Sequence, residues 1–292
     1  MRVVYIGQSG PYSPEALRLL LGHDVFEIVL VVEGRSRPMG RLIHQWLKPS
    51  PAPLPPGDSL APIAVAAGVP CLKTSDINHT YCRERIAAMN PDWLVCVGFD
   101  RLFCPELLAT AQQGGLNAHP SDLPKFRGPS PIFWALKEGA RRLPVVIHHL
   151  DAHEDHGPIC GRGTISLPER ASGATIYRLA AKQAAHLLLH TLSQGSTEGI
   201  AQDDSLASRA PRPKPEDAFF DPSTWDCQAL VNFVSAAAFF RAAWTRLGDE
   251  VFFIRSGLSY EIGRRMPGHY LRLGDELVVQ CRDGLATLEI QQ

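Results

Sequence analysis

Residues 115–139 read GLNAHPSDLPKFRGPSPIFWALKEG. A strand carried through GLNAH projects Asn117 and His119 from one face, because alternate residues of a strand share a face. The eleven residues that follow, 121–131, hold three prolines and a glycine, which makes a rigid wall and not a flexible tether. Ser130-Pro131 then reads as an N-cap followed by the first helical residue, and Gly139 as the stop of that helix. In an open α/β sheet, ligands bind beyond the carboxyl ends of the strands. There the Asn117 amide is suited to donate to a developing oxyanion and His119 to move a proton near neutral pH. The bland alternative is a turn in which Asn caps and His fills surface.

Working outward, the apolar β-branched runs RVVYIG (2–7), FEIVLVV (26–32), DWLVCVG (92–98) and PVVIHHL (144–150) alternate with the helical patterns SPEALRLLL (13–21) and CPELLATAQ (104–112). That alternation predicts an α/β fold, βα units around a mostly parallel open sheet. Ser13-Pro14 repeats the N-cap signal, and a long helix is expected after Gly173. The polar, Pro-punctuated stretch 204–217 reads as an exposed linker between a domain over 1–203 and a small one over 218–292. The latter opens on a helical run near 227–239 and continues as the short strands VFFI, LSYEIG, LVVQC and ATLEI, the pattern of a small β-barrel-like, OB-like unit. Residues 47–58, LKPSPAPLPPGD, are expected to form an extended loop.

Several classes are disfavoured by the totals. With 29 basic and 30 acidic residues the formal charge is −1, so no global field gathers nucleic acid or membrane. The seven cysteines are scattered without a CxxC pair, which points to a reducing compartment and not a disulfide framework. No apolar run is long enough to span a bilayer, and a cytoplasmic location is expected. The run HHLDAHEDHGPI (148–159) packs four histidines and three acids into twelve positions. Its histidines lack HExxH spacing, and His148 and His149 point to opposite faces of a strand, so no metal is expected. GQSG (7–10) has Tyr12 where a dinucleotide fingerprint requires Gly, leaving it as a plain loop.

GLNAHPSDLPKFRG, followed some thirty residues later by EDHGPI, resembles the formyltransferases that use 10-formyltetrahydrofolate, in particular the methionyl-tRNA and amino-sugar branches. Their pattern of Asn-x-His-x-Ser-x-Leu-Pro, Arg-Gly and Asp-x-Gly is met by Asn117, His119, Ser121, Leu123, Pro124, Arg127, Gly128, Asp155 and Gly157. The resemblance runs over nearly the whole chain, thinning after about residue 245. It implies a Rossmann-like formyltransferase domain with Asn117, His119 and Asp155 as the catalytic unit. It also implies a folate pocket lined by Arg101, Leu102, Phe103, Ser121, Asp122, Leu123, Pro124, Asp151, Ala152, His153 and Glu154, with Ser9, Gly10 and Arg127 near the acceptor. His156 departs from the small or hydroxylated residue expected between that Asp and Gly.

Formylation of an amine needs an oxyanion donor and a proton acceptor, which these residue types supply. From Arg209 onward the chain carries ten basic and eleven acidic residues, a poor grip on phosphates. The expected acceptor is therefore a small amine, first a nucleotide-linked amino sugar. Methionyl-tRNA is the alternative, supported by the basic run GRSRPMGR (34–41), and a folate-binding or formyltetrahydrofolate-hydrolysing relative is the second. A homodimer is left open.

Overall fold

The computed structural model describes residues 1–35, 59–195 and 197–291. Most of the basic run at 34–41 and all of the Pro-rich segment 47–58 lie outside these residues. Seven strands, β1 (Arg2–Gln8), β2 (Glu27–Gly34), β3 (Cys71–Thr74), β4 (Trp93–Val97), β5 (Gly115–His119), β6 (Arg142–His149) and β7 (Ile159–Ser166), form one sheet. Their order is β3-β2-β1-β4-β5-β6-β7, and the first five run parallel. The central strands are continuous apolar runs because both faces are covered. Val3 and Tyr5 pack under α1 (Ser13–Leu20), α2 (Leu60–Ala66), α5 (Pro131–Lys137) and α6 (Gly173–Ser193), whereas Val4 and Ile6 pack under α3 (Thr80–Ala87) and α4 (Pro105–Leu108).

The structure departs from the sequence pattern in four places. Strand β6 runs antiparallel to β5, and β7 to β6, a direction that an apolar run does not encode. Ser13 is the first helical residue and not the cap. Its hydroxyl donates to the Val97 carbonyl and accepts from the Gln8 amide, which pins the start of α1 between the ends of β1 and β4. The pattern over 104–112 yields only the single turn of α4. The stretch 204–217 is held as a strap across the α/β unit. The Arg127 amide donates to the Ser208 carbonyl and the Arg127 carbonyl accepts from the Ala210 amide, Trp134 Nε1 donates to the Pro211 carbonyl at 2.7 Å, and Arg212 pairs with Asp100 at 2.7 Å. The stretch is exposed over most of its length, as expected, but it is fastened at these points to the α/β unit.

Beyond the strap, α7 (Cys227–Ala237) precedes β8 (Ala243–Leu247), β9 (Glu250–Ile262), β10 (Tyr270–Leu273), β11 (Glu276–Gln280) and β12 (Gly284–Ile290). They form an antiparallel sheet of order β10-β11-β12-β9-β8. VFFI and LSYEIG belong to one strand, β9, whose pairing with β12 slips twice. Such irregularities increase strand bending, and the sheet curls into a half-barrel whose outer strands are not paired with each other among the described residues. Phe133 of α5 meets Phe233 and Phe240 at ring separations of 5.7 Å, so the core runs unbroken from the α/β unit into this sheet. No helix among the described residues is long and apolar enough to cross a membrane.

Candidate active site

Strand β5 is buried along its whole length, and it delivers Asn117 and His119 to one face of its carboxyl end. Asp155 arrives from the connection between β6 and β7. Its φ of 50° is a left-handed conformation uncommon for a non-glycine residue. Two residues on, a Cβ at Gly157 would collide with the His149 carbonyl; only glycine lets the connection lie this close to β6. The side chain of Gln202 fastens the connection from outside, donating at 2.8 Å to the carbonyls of both Asp155 and Gly157.

The carboxylate of Asp155 is the hub. Its Oδ2 accepts from the Gly128 amide at 2.8 Å and its Oδ1 from Asn117 Nδ2 at 3.2 Å. His119 Nδ1 lies 3.6 Å and His148 Nε2 3.5 Å from Oδ1. His148 is brought here by the antiparallel register, which sets it directly opposite Asn117, with its Nε2 3.0 Å from Asn117 Nδ2. His149, pointing the other way, packs near Trp93 and faces the Thr197 carbonyl.

Carbonyl oxygens assign the imidazole protons. His148 Nδ1 faces the His149 carbonyl at 2.8 Å and His119 Nε2 faces the Phe126 carbonyl at 3.1 Å. A carbonyl only accepts, so these nitrogens carry the hydrogens. His148 Nε2 then accepts from Asn117, and His119 Nδ1 keeps a free lone pair. Burial holds His119 below the ordinary imidazole range, opposed by Asp155 and reinforced by His148. Burial also works against the charge of Asp155, yet His119, His148 and the Gly128 amide together hold its carboxyl well below the usual carboxylate range. The resting site is thus a neutral imidazole beside a fixed negative charge.

A cavity of about 460 Å³ opens over these groups, within the range of small-ligand sites. Of the residues expected at the site, Ser9, Gly10, Arg101, Leu102, Phe103, Asp151, His153 and Glu154 line it together with Asn117, His119 and Asp155. Ser121, Asp122, Leu123, Pro124, Ala152 and Arg127 do not. Ser121 donates to the Lys125 carbonyl, Asp122 pairs with Arg162, Leu123 is buried in the protein, and the Leu123–Pro124 peptide is cis. These residues shape the turn that sets the Phe126 carbonyl behind His119. Arg127 is drawn off by Gln202 and Asp204, both at 2.8 Å.

Sequence reading missed His148, buried behind Asn117, and several wall residues: Tyr12, Tyr177, Arg212, Phe239 and Phe240. The last three come from the strap and the turn just after α7, far along the chain. Tyr177 stands 5.5 Å from Phe239 and 5.8 Å from Phe240 in an aromatic wall. No local signal marks His148, whose place against Asn117 follows from the antiparallel register of β6 on β5.

Two methionyl-tRNA formyltransferases are similar to the chain over nearly its full length. That of Pseudomonas entomophila is 30% identical and that of Chlorobium limicola 29%, each over 99% of this chain and 90% of the relative. In fold it is similar to an N-formyltransferase from Helicobacter canadensis solved with folinic acid and dTDP-3-aminofucose, with a TM-score of 0.67 and 13% identity over the whole of both chains. Residues 18–192, more than half of the chain and holding Asn117, His119 and Asp155, match the formyl transferase family, and the chain belongs to that family.

Proposed function

We propose that this formyltransferase carries the formyl group of 10-formyltetrahydrofolate to the primary amine of a small acceptor, with a nucleotide-linked amino sugar as the first choice. The wall residues suit the donor. Phe99 and Phe103, stacked edge to face at 5.8 Å, and the exposed Leu102 offer apolar surface to a fused ring, while Asp151, His153 and Glu154 offer polar atoms across from them. When bound, the donor supplies the activated formyl carbon.

The remaining chemistry falls to the chain. Both N–H groups of Asn117 are engaged in the resting site, one by His148 and one by Asp155. Turning the longer bond from Asp155 to the formyl oxygen exchanges one anionic acceptor for another, so the amide stabilises the developing charge without a new partner. His148 keeps the other N–H fixed and is a positioning residue. His119 Nδ1 takes the proton that the attacking amine sheds, and the imidazolium so formed lies between the Asp155 carboxylate and the Phe126 carbonyl. The observation that carries this reading is the convergence of three side chains, Asn117 and His119 from β5 and His148 from β6, on the carboxylate that the 150–158 connection supplies. No step draws on a metal. Turnover is expected to survive exhaustive chelation; loss of activity with EDTA and its return with zinc would overturn this.

For the acceptor, charge supports the small amine. Three of the seven arginines past the strap, Arg255, Arg264 and Arg282, are each paired with a carboxylate, Glu289, Glu261 and Asp226, in a stretch with a slight acid excess. A tRNA grip needs unpaired cations, because phosphate neutralisation dominates nucleic-acid affinity. Methionyl-tRNA is the second reading, favoured by the full-length similarity to methionyl-tRNA formyltransferases, and the aromatic wall accommodates a methionyl side chain equally. Assaying methionyl-tRNA beside nucleotide-linked amino sugars and free amino acids at 50 and 200 mM salt separates the two. A small acceptor is expected to show little salt response, whereas tRNA binding through many phosphates falls roughly 1000-fold or more over that range. Efficient, salt-sensitive formylation of methionyl-tRNA alone would transfer the conclusion to the second reading.

A further inference from the structure

The connection that carries Asp155 holds a second cluster that takes no part in the oxyanion and proton-transfer steps. Asp151, His153 and His156 each offer one ligand atom, and the three atoms lie within 4.8 Å of one another. His156 Nδ1 is 2.9 Å from Asp151 Oδ2, and His153 Nδ1 is 3.9 Å from Asp151 Oδ1. The Asp151 carboxylate is pre-oriented, because its Oδ1 also accepts from the His153 amide at 2.8 Å. His153 has 75% of its side chain exposed, which leaves its ring free to rotate inward. A tetrahedral zinc site with bonds near 2.0–2.1 Å sets its donor atoms about 3.3 Å apart, so a small rotation of His153 closes the set.

An independent feature stands behind the second histidine. Asp204 Oδ2 lies 3.4 Å from His156 Nε2. With Nδ1 turned to the cluster, Nε2–H is the group left to donate, and a carboxylate there is the arrangement that orients metal-bound imidazoles. Two imidazoles and one carboxylate suit a borderline ion such as zinc, and not magnesium or calcium, which prefer all-oxygen sites.

We propose that Asp151, His153 and His156, backed by Asp204, bind a zinc-class divalent ion at the rim of the cavity, and that the ion and the folate donor exclude one another. Asp151 and His153 line the same cavity, and an ion tying residues 151, 153 and 156 together clamps the connection around Asp155. The exclusion rests on the reading of this cavity as the donor's; the ion site itself does not.

The test uses the full-length chain, zinc chloride and folinic acid, with calorimetry as the readout. Zinc alone is expected to bind at one ion per chain, and the His153→Ala/His156→Ala double variant to lose this binding while keeping its thermal unfolding. Asp204→Asn is expected to weaken zinc by about 10- to 100-fold. Zinc held at ten times its own Kd is expected to raise the Kd for folinic acid about tenfold in the wild type and to leave it unchanged in His156→Ala. No zinc binding, or binding undiminished in the double variant, overturns the site. An unchanged folinic acid affinity in zinc-saturated protein overturns the exclusion. Folinic acid that fails to bind even without zinc refutes the donor reading and not the ion site.

Discussion

Asn117→Ala is expected to lower kcat by about 100- to 1000-fold, the usual cost of removing one oxyanion donor, while folinic acid binds as it does to the wild type. The separation follows from geometry. The amide of Asn117 acts at the reacting oxygen, whereas the residues expected to hold the ring system, Leu102, Phe103 and Asp151, belong to other elements. Truncation also strips Asp155 Oδ1 and His148 Nε2 of a shared donor inside the protein, where an unsatisfied polar group costs about 1–3 kcal/mol. Thermal unfolding must therefore accompany the kinetics. A variant that unfolds normally and turns over a verified acceptor at near wild-type rate would remove Asn117 from the chemistry.

His148 makes a related demand of smaller size. Its Nε2 fixes one N–H of the Asn117 amide, and the other must then point to the carboxylate side. Without that acceptor the amide can rotate and present its oxygen to the formyl oxygen, which repels the charge it should stabilise. The dependence shows why sequence reading reached only part of the site. Asn117 and His119 are legible from local geometry, as alternate residues on a strand end, whereas Asp155 and Gly157 are reached only through the motif shared with the family. His148 depends on strand direction, which is decided by tertiary pairing and leaves no periodic trace. The same limit applies to the strap. Its composition is that of a solvated linker, yet Arg127, Trp134 and Asp100 supply partners for its backbone and for Arg212. Ser13 shows the converse, since a residue with the chemistry of a cap was claimed by the Val97 carbonyl. The α/β alternation itself was readable because strands covered on both faces must be apolar throughout, whatever their direction.

Asp155→Asn is expected to lower turnover by about 100-fold or more, within the span of a general acid–base contribution, and to displace the acid limb of the pH–rate profile in a stated direction. As the base, His119 works only when Nδ1 is unprotonated, so kcat/KM rises with pH as the imidazolium of the free enzyme loses its proton. Burial places that midpoint below the ordinary histidine value of 6.5. The negative charge of Asp155 opposes burial by favouring the imidazolium. Removing it lowers the His119 pKa further, and the limb moves to lower pH even as the plateau falls, because the imidazolium formed during transfer has lost its counter-charge. A purely structural role predicts a lower plateau with an unmoved limb. His119→Ala combined with Asp155→Asn should then cost little more than the worse of the two alone, since residues acting as one unit do not add. If the losses multiply, or the limb moves to higher pH, the carboxylate does not act through His119, and its bonds to the Gly128 amide and to Asn117 remain as its contribution to the site.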